Sequence, residues 1–456
     1  MTAMNVPVRS GLALARELRR AMLGKVALLG DDAYERACRI WNGAVDHRPL
    51  AVAQCESVKD VQAALRIAAD YGMPLSVRGG GHDWAGRSLC PDGLVIDLST
   101  MRKIEINAKA HAAVIAGGAT AGSLVAAASP YGLGAVTGSV ASVGMTGLTL
   151  GGGYGPLSAC HGLALDNMLG ATVVLADGRH VVTDASEHPD LFWALRGGGG
   201  NFGVVTSLHI RLHPMRMLLA GIILFQWSDA EAVLRRYADI AASAPDELTV
   251  TAGLLSTADG RPALFLAPTW SGEMARGEHE LAKLLQLGMP LLAQMGPMSC
   301  LDMLRMYDTH VVHGRHYAVE TRWLPALTSD VIASLVAAGA ARSSPHSAII
   351  IHHCHGAPTR VPVEATAFGL RREHFQVEII AGWAPEDNDG PVHRHWMQTL
   401  SRSLEPASLP GGYPNLLGPD DDERAALSYG PNLPRLLAVK RQYDPRAVFS
   451  ATPLPT

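Results

Sequence analysis

Glycine is unevenly spread along this chain, and its clustering constrains the fold more than any other feature. Four glycine-rich turns lie within residues 78–203: Arg78-Gly79-Gly80-Gly81, the run from Gly147 through Gly151, Gly152 and Gly153 to Gly155, then Gly162, and the run from Gly197 to Gly203. Backbone amides bared in this way form nests that hold phosphate oxygens, and the missing Cβ atoms let a flat ring lie against the chain. One such cluster is an ordinary tight turn; four together predict a large anionic cofactor. His82 and Asp83 follow the first cluster directly, placing an imidazole beside the bare backbone. A neutral imidazole is nucleophilic, and polar neighbours orient it.

The last run contains a literal Gly-x-Gly-x-x-Gly, from Gly198 to Gly203. A nicotinamide-binding fingerprint needs a strand before it and a helix after it, so that phosphate sits on the helix N-terminus. Here a helical segment precedes the glycines and the alternating strand VVTSLHIRL follows, with no acidic residue suitably placed beyond. The nicotinamide reading is rejected.

Length and charge bound the remaining classes. The 456 residues suffice for two or three compact units. A net charge of −4 offers no basic surface to nucleic acid or an anionic membrane. Cys38, Cys55, Cys90, Cys160, Cys300 and Cys354 are scattered without a CxxC pair, which argues against a disulfide framework or zinc ribbon. The early apolar segment GLALARELRRAMLG is broken by Arg16, Glu17, Arg19 and Arg20, so it reads as an amphipathic helix packed on the body, with no secretory signal. Apolar runs fall short of the roughly 20 residues that span a bilayer. The expectation is a soluble, cytoplasmic protein.

From Leu50 the pattern is strand, helix, strand: PLAVAQC, a helix capped by Ser57 and stopped near Gly72, then MPLSVRG. VIDLST, AAVIAGGAT and ATVVLADGRHVVT add strands, the last a hairpin turning on Asp177-Gly178. After Met215 glycine thins, and IILFQWS, ALFLAPTW, RHYAVETRWL, AIIIHHCHG and HFQVEIIAGW read as strands of an antiparallel sheet with helices between them. The expected fold is α+β in two domains. Residues 1–214 and 406–456 form one split domain, and residues 215–405 form a substrate domain on an antiparallel sheet with flanking helices.

The residues also resemble a known family. RGGGH from Arg78, GLVIDLS from Gly93, VGMTGLTLGGGYG from Val143, GLALDNMLGATVV from Gly162, HPDLFWALRGGGGNFGVVT from His188, YPNLLG from Tyr413 and LAVKRQYDPRAVF from Leu437 occur in family order. That family is the flavoproteins similar to berberine bridge enzyme, within the group sharing the vanillyl-alcohol-oxidase type FAD domain. The wording lies near that of its bacterial 6-hydroxynicotine oxidase-like members. The resemblance implies FAD bound covalently through His82, with Arg78, Gly79, Gly80, Gly81 and Asp83 around the pyrophosphate. Gly138, Val143, Gly147, Gly151, Gly152, Gly155, Gly162, Asp166, Asn167 and Val204 match further stretches lining the cofactor, and Asn415 belongs to a late Tyr-x-Asn that returns to it.

Many relatives attach the flavin a second time through a cysteine in a Gly-x-Cys-x-x-Val-Gly setting. Here that setting is Gly138-Ser139-Val140-Ala141-Ser142-Val143-Gly144, and Val140 cannot form a thioether. A single tether is expected, with Cys90 a packed thiol. Val143 falls where the family places the residue beside the oxygen-reactive carbon, and a valine there resembles the oxygen-admitting form. The expected activity is hydride transfer from an alcohol or sugar-like hydroxyl to FAD, with molecular oxygen reduced to hydrogen peroxide. Amine oxidation of the 6-hydroxynicotine oxidase kind, and flavin binding without turnover, are the alternatives. Tyr413 is the first candidate base and Glu378 the reserve; for Tyr413 this requires a neighbouring donor or positive charge.

His352, His353, Cys354 and His355 suggest metal ligands, but on a strand they alternate faces, leaving two per face without a third partner. No metal is assigned. His353 or His355, Tyr317 and Arg322 are the weaker substrate-contact candidates.

Overall fold

The computed structural model describes residues 8–215, 217–257, 259–450 and 453–454. The first sheet has four strands in the order Val26–Ala27, Ala51–Gln54, Leu94–Asp97, Leu75–Arg78. Its three longer strands run parallel, and the helix Val58–Asp70 makes the crossover. That helix starts where its cap dictates: Ser57 accepts the backbone N–H of Asp60 at 3.2 Å. Its apolar face, including Val61, Leu65 and Ile67, closes a core with Leu94 and Ile96 beneath the sheet.

A second sheet of five antiparallel strands follows, in the order Ile104–Asn107, Ala112–Ala116, Val204–Arg211, Met168–Val174, His180–Thr183. The hairpin between its last two strands turns at Gly178, whose φ of +84° favours glycine. The end of the chain returns to this half: Leu436 and Val439 of the helix Leu433–Tyr443 share a core with Trp193 and Phe202.

The intervening segment builds a seven-stranded antiparallel sheet in the order Pro290–Met298, Leu218–Gln226, Pro262–Trp270, Leu248–Ser256, Ala348–Cys354, His374–Trp383, His316–Leu324. Helices Ala230–Ala241, Met274–Leu285, Ser329–Ala340 and Gly390–Leu404 cover one face. Alternation fixes which side chains meet them. Ile349, Ile351, Phe375, Val377 and Ile379 enter the helix-covered core, so Ile350, His352, Gln376 and Glu378 look the other way, towards the glycine turns. Two strands of this sheet, Leu248–Ser256 and Pro290–Met298, were not foreseen from the sequence. Among the described residues no helix is long and apolar enough to cross a membrane.

Candidate active site

The glycine turns approach one another because only glycine permits it. A Cβ on Gly144 would stand 2.6 Å from the backbone nitrogen of Gly80, so the turn carrying Val140 and Val143 is pressed onto the loop that leads into His82. A Cβ on Gly152 would stand 2.7 Å from Tyr413 Cε2, which brings the late Tyr-x-Asn segment onto the other turn. The Arg78 guanidinium does not reach outward. Its Nη1 donates to both carboxylate oxygens of Asp97, at 3.0 and 3.1 Å, pinning the ends of two parallel strands. Asp83 accepts from the backbone of Ala85 and from Arg87 Nε at 2.6 Å; Arg87 Nη2 in turn donates to the Asn415 carbonyl at 3.2 Å.

His82 sits inside an aromatic enclosure. Trp41 stacks on it with centroids 5.8 Å apart and planes 16° from parallel, and Tyr317 stacks on Trp41 at 4.0 Å and 13°. His313 meets it edge-on at 5.2 Å. Its Nε2 is buried without a hydrogen-bond partner. Burial, with His313 adding to it, lowers the imidazole to about 4, so it is neutral and nucleophilic at physiological pH.

Tyr413 lies in a small core with Tyr154, Leu163, Trp323, Cys354 and Phe368, where the glycine-rich half meets the seven-stranded sheet. Its phenol oxygen accepts the Gly153 N–H at 2.8 Å and Asn415 Nδ2 at 2.9 Å. These are the donors that a base at this position requires. Burial nevertheless pushes the phenol up to about 12, and the nearby Glu378 carboxylate acts in the same direction. Glu378 Oε1 lies 3.4 Å from His352 Nε2 on the adjacent strand.

Several sequence expectations need correction. His353 does not meet Glu378: it stacks on Phe375 at 4.7 Å and on His355 at 4.2 Å, and its Nε2 meets Glu373 at 2.9 Å. The histidine beside Glu378 is His352, which was not a site candidate. Arg322 lies on the helix-covered side, donating from Nε to Ser401 of the helix Gly390–Leu404 at 3.0 Å. Val204 is fully buried in the core beneath the first sheet. Asp166 and Asn167 brace loops: Asp166 pairs with Arg371 at 2.8 Å, and Asn167 donates to the His161 and Leu163 carbonyls. Tyr317 is placed beside His82 through Trp41. Trp41 itself and its neighbour Asn42 carry no sequence signal and were missed.

Buried polar groups are paired in more than about 90% of cases. Here Trp41 Nε1, Arg78 Nε, His82 Nε2, Arg87 Nη1, Thr146 Oγ1 and Thr149 Oγ1 are buried without partners, all on or beside the converging turns. Such a set fits a large polar cofactor laid across bare backbone.

Comparisons with known proteins show the family. Residues 49–184 match the family model described as FAD binding domain, and residues 412–453 match the one described as berberine and berberine like. The chain belongs to the berberine bridge enzyme-like family of FAD-linked oxidoreductases, and it binds FAD in that family's two-domain α+β fold. It is 32% identical over 455 residues to (R)-6-hydroxynicotine oxidase of Paenarthrobacter nicotinovorans, covering 93% of this chain and 95% of that protein. The crystal structure of 6-hydroxy-D-nicotine oxidase from Arthrobacter nicotinovorans matches with a TM-score of 0.86 and 28% identity, covering 99% of both chains. Glucooligosaccharide oxidase from Acremonium strictum, described as carrying a 6-S-cysteinyl, 8α-N1-histidyl FAD, matches with a TM-score of 0.86 at 24% identity, over 97% of this chain and 99% of that one.

The buried histidines predict acid sensitivity. Burial lowers His82, His213 and His374 to about 4, and His353 to about 3. An unfolded imidazole titrates near 6.5, so between about 6.5 and 4 the folded chain binds fewer protons than the unfolded one. Stability is therefore full above about 6.5 and falls as pH drops through that window. Urea midpoints should stay level from pH 7.5 to about 6.5 and decline from there to 4.5; a series flat throughout contradicts the assignment.

Proposed function

We propose that the protein oxidises a small organic substrate at an alcohol or sugar-like hydroxyl, using FAD tethered through His82 alone. The observation that carries the tether is His82 itself, a neutral imidazole with a buried, unpartnered Nε2 at the end of the glycine loop. Val140, in the turn pressed against that loop, supports a single link because an aliphatic side chain offers no thiolate. FAD bound here supplies a two-electron acceptor for a substrate hydride and returns those electrons to molecular oxygen, giving hydrogen peroxide.

The chain's own residues bind, orient and deprotonate. The face carrying His352, Gln376 and Glu378 roofs the site, and Tyr413 enters from its side. Tyr413 accepts the substrate's hydroxyl proton only as a phenolate, whose charge before the transfer is held by Gly153 N–H and Asn415 Nδ2. Glu378, with His352 at its side, is the reserve base. A second reading, amine oxidation, is favoured by that same carboxylate, since a roof carboxylate pairs with a protonated amine.

Acid precipitation followed by peptide mapping tests the tether. The expected result is a yellow pellet and one flavin-bearing peptide, containing His82. Flavin left in the supernatant overturns the covalent link, and a flavin peptide containing Cys90 overturns the single link. Anaerobic mixing with panels of alcohols, sugars and amines, scored by flavin bleaching, separates the two substrate readings.

A further inference from the structure

His82 differs from the other buried histidines in how it is held. His374 is fixed by Tyr154 and the Arg372 carbonyl, and His213 by Asn167. His82 makes no side-chain hydrogen bond among the described residues and is oriented by ring contacts alone, chiefly the Trp41–Tyr317 stack.

That stack is assembled by Asn42, which is 3% exposed. Its Oδ1 accepts the Tyr317 N–H at 2.9 Å and its Nδ2 donates to the Tyr317 carbonyl at 2.9 Å, so the side chain occupies the sheet edge as a further strand would. The same Nδ2 donates to the Trp84 carbonyl at 2.6 Å, two residues beyond His82. Backbone bonds continue the strap: Gly43 N–H to the Arg315 carbonyl at 2.9 Å, and Gly314 N–H to the Trp41 carbonyl at 3.0 Å. One buried amide thus joins three distant segments: the strap at 41–43, the His82 loop, and the edge strand of the second domain.

We propose that Asn42 is the positioning residue for covalent flavin capture, holding the second domain's edge against the His82 loop so that the tether forms only when the two domains are docked. The inference rests on the His82 tether proposed above. In the attachment, a C–N bond from the imidazole replaces a C–H bond of the ring methyl. The imidazole N–H proton is also lost. The two protons and two electrons released pass to molecular oxygen as hydrogen peroxide. Asn42 takes no part in that bookkeeping; it fixes where the imidazole stands, and a misplacement of about 1 Å costs on the order of 100-fold in rate.

The test compares full-length wild-type, Asn42→Ala and Asn42→Asp proteins, each harvested soon after induction and purified with its flavin. Asn42→Asp keeps the acceptor for the Tyr317 N–H but loses both Nδ2 donations, to the Tyr317 and Trp84 carbonyls, and it carries the test if Asn42→Ala does not fold. Total bound flavin and the acid-stable share are measured over time during incubation with FAD in air. Both variants should bind flavin yet acquire the acid-stable link about 10- to 100-fold more slowly than wild type. Variants that attach flavin at the wild-type rate overturn the proposal, and so do variants that bind less flavin but attach all of it. Wild-type flavin that is itself acid-extractable overturns the tether, a result distinct from either.

Discussion

A Tyr413→Phe enzyme should reduce its flavin about 10²- to 10⁴-fold more slowly than the parent in anaerobic stopped flow, the range associated with losing a positioned acid–base group. The phenol oxygen already accepts two hydrogen bonds, from Gly153 N–H and Asn415 Nδ2, so its own proton is the feature left to interact with a substrate. Those donors also stabilise the phenolate after proton removal. Burial works against them and holds the phenol up to about 12. If Tyr413 must ionise, the reduction rate should keep climbing with pH beyond neutrality. An undiminished rate in the Phe variant removes Tyr413 from the role, and a wild-type rate that is level through neutral pH argues against a Tyr413 phenolate and turns the test to Glu378→Gln. Loss of the hydroxyl also strands two buried donors, at about 1–3 kcal/mol of stability, so the variant's melting should be followed alongside its kinetics.

The largest stability effect should come from a pair with no part in the chemistry. Arg371 donates from Nη2 to Asp166 Oδ1 at 2.8 Å and from Nη1 to Asp166 Oδ2 at 2.9 Å, with side-chain exposures of 4% and 9%. Arg371 also donates to Thr366 Oγ1, and Asp166 accepts the Leu163 N–H, so the pair ties the loop after Gly162 to the loop before the strand His374–Trp383. Removing one partner leaves a buried charge alone, which costs about 3–5 kcal/mol. Asp166→Ala and Arg371→Ala should each lower the urea-extrapolated stability by that amount, and the double variant should lose less than the two combined. Single losses below about 1 kcal/mol would show that water reaches the stranded charge, and the pair would not be the brace described here.

What could be read from the sequence was local. The Ser57 cap, the Asp177-Gly178 hairpin and the strand–helix–strand pattern each depend on neighbours within a few residues, and each forms as expected. The glycine turns were legible as a cofactor cradle because bare backbone at four places has few other uses. The roof was not legible. AIIIHHC is apolar at both parities, so nothing in it says whether His352 or His353 turns towards Glu378; that follows from a register set across strands. Nor does RHYAVETRWL by itself say that Arg322 turns to Ser401 of the helix Gly390–Leu404. The strand Pro290–Met298 was hidden by its two prolines, which disfavour interior strands but are tolerated at this sheet edge. Asn42 was beyond reach because its partners stand at Trp84 and Tyr317, the latter 275 residues away.

The split of the first domain has a consequence for the order in which this protein comes into being. The His82 loop and the Tyr-x-Asn segment are joined by Arg87 and the Asn415 carbonyl, 328 residues apart. At the ~5–20 residues per second of synthesis, roughly 16 to 66 s pass between the emergence of one and the other. Through that interval the glycine turns exist without Tyr413 and Asn415 to close on. The second domain, whose residues lie wholly between them, is complete first. A released chain truncated before residue 412 should therefore fold its seven-stranded sheet while leaving the flavin site without its Tyr413 and Asn415 side.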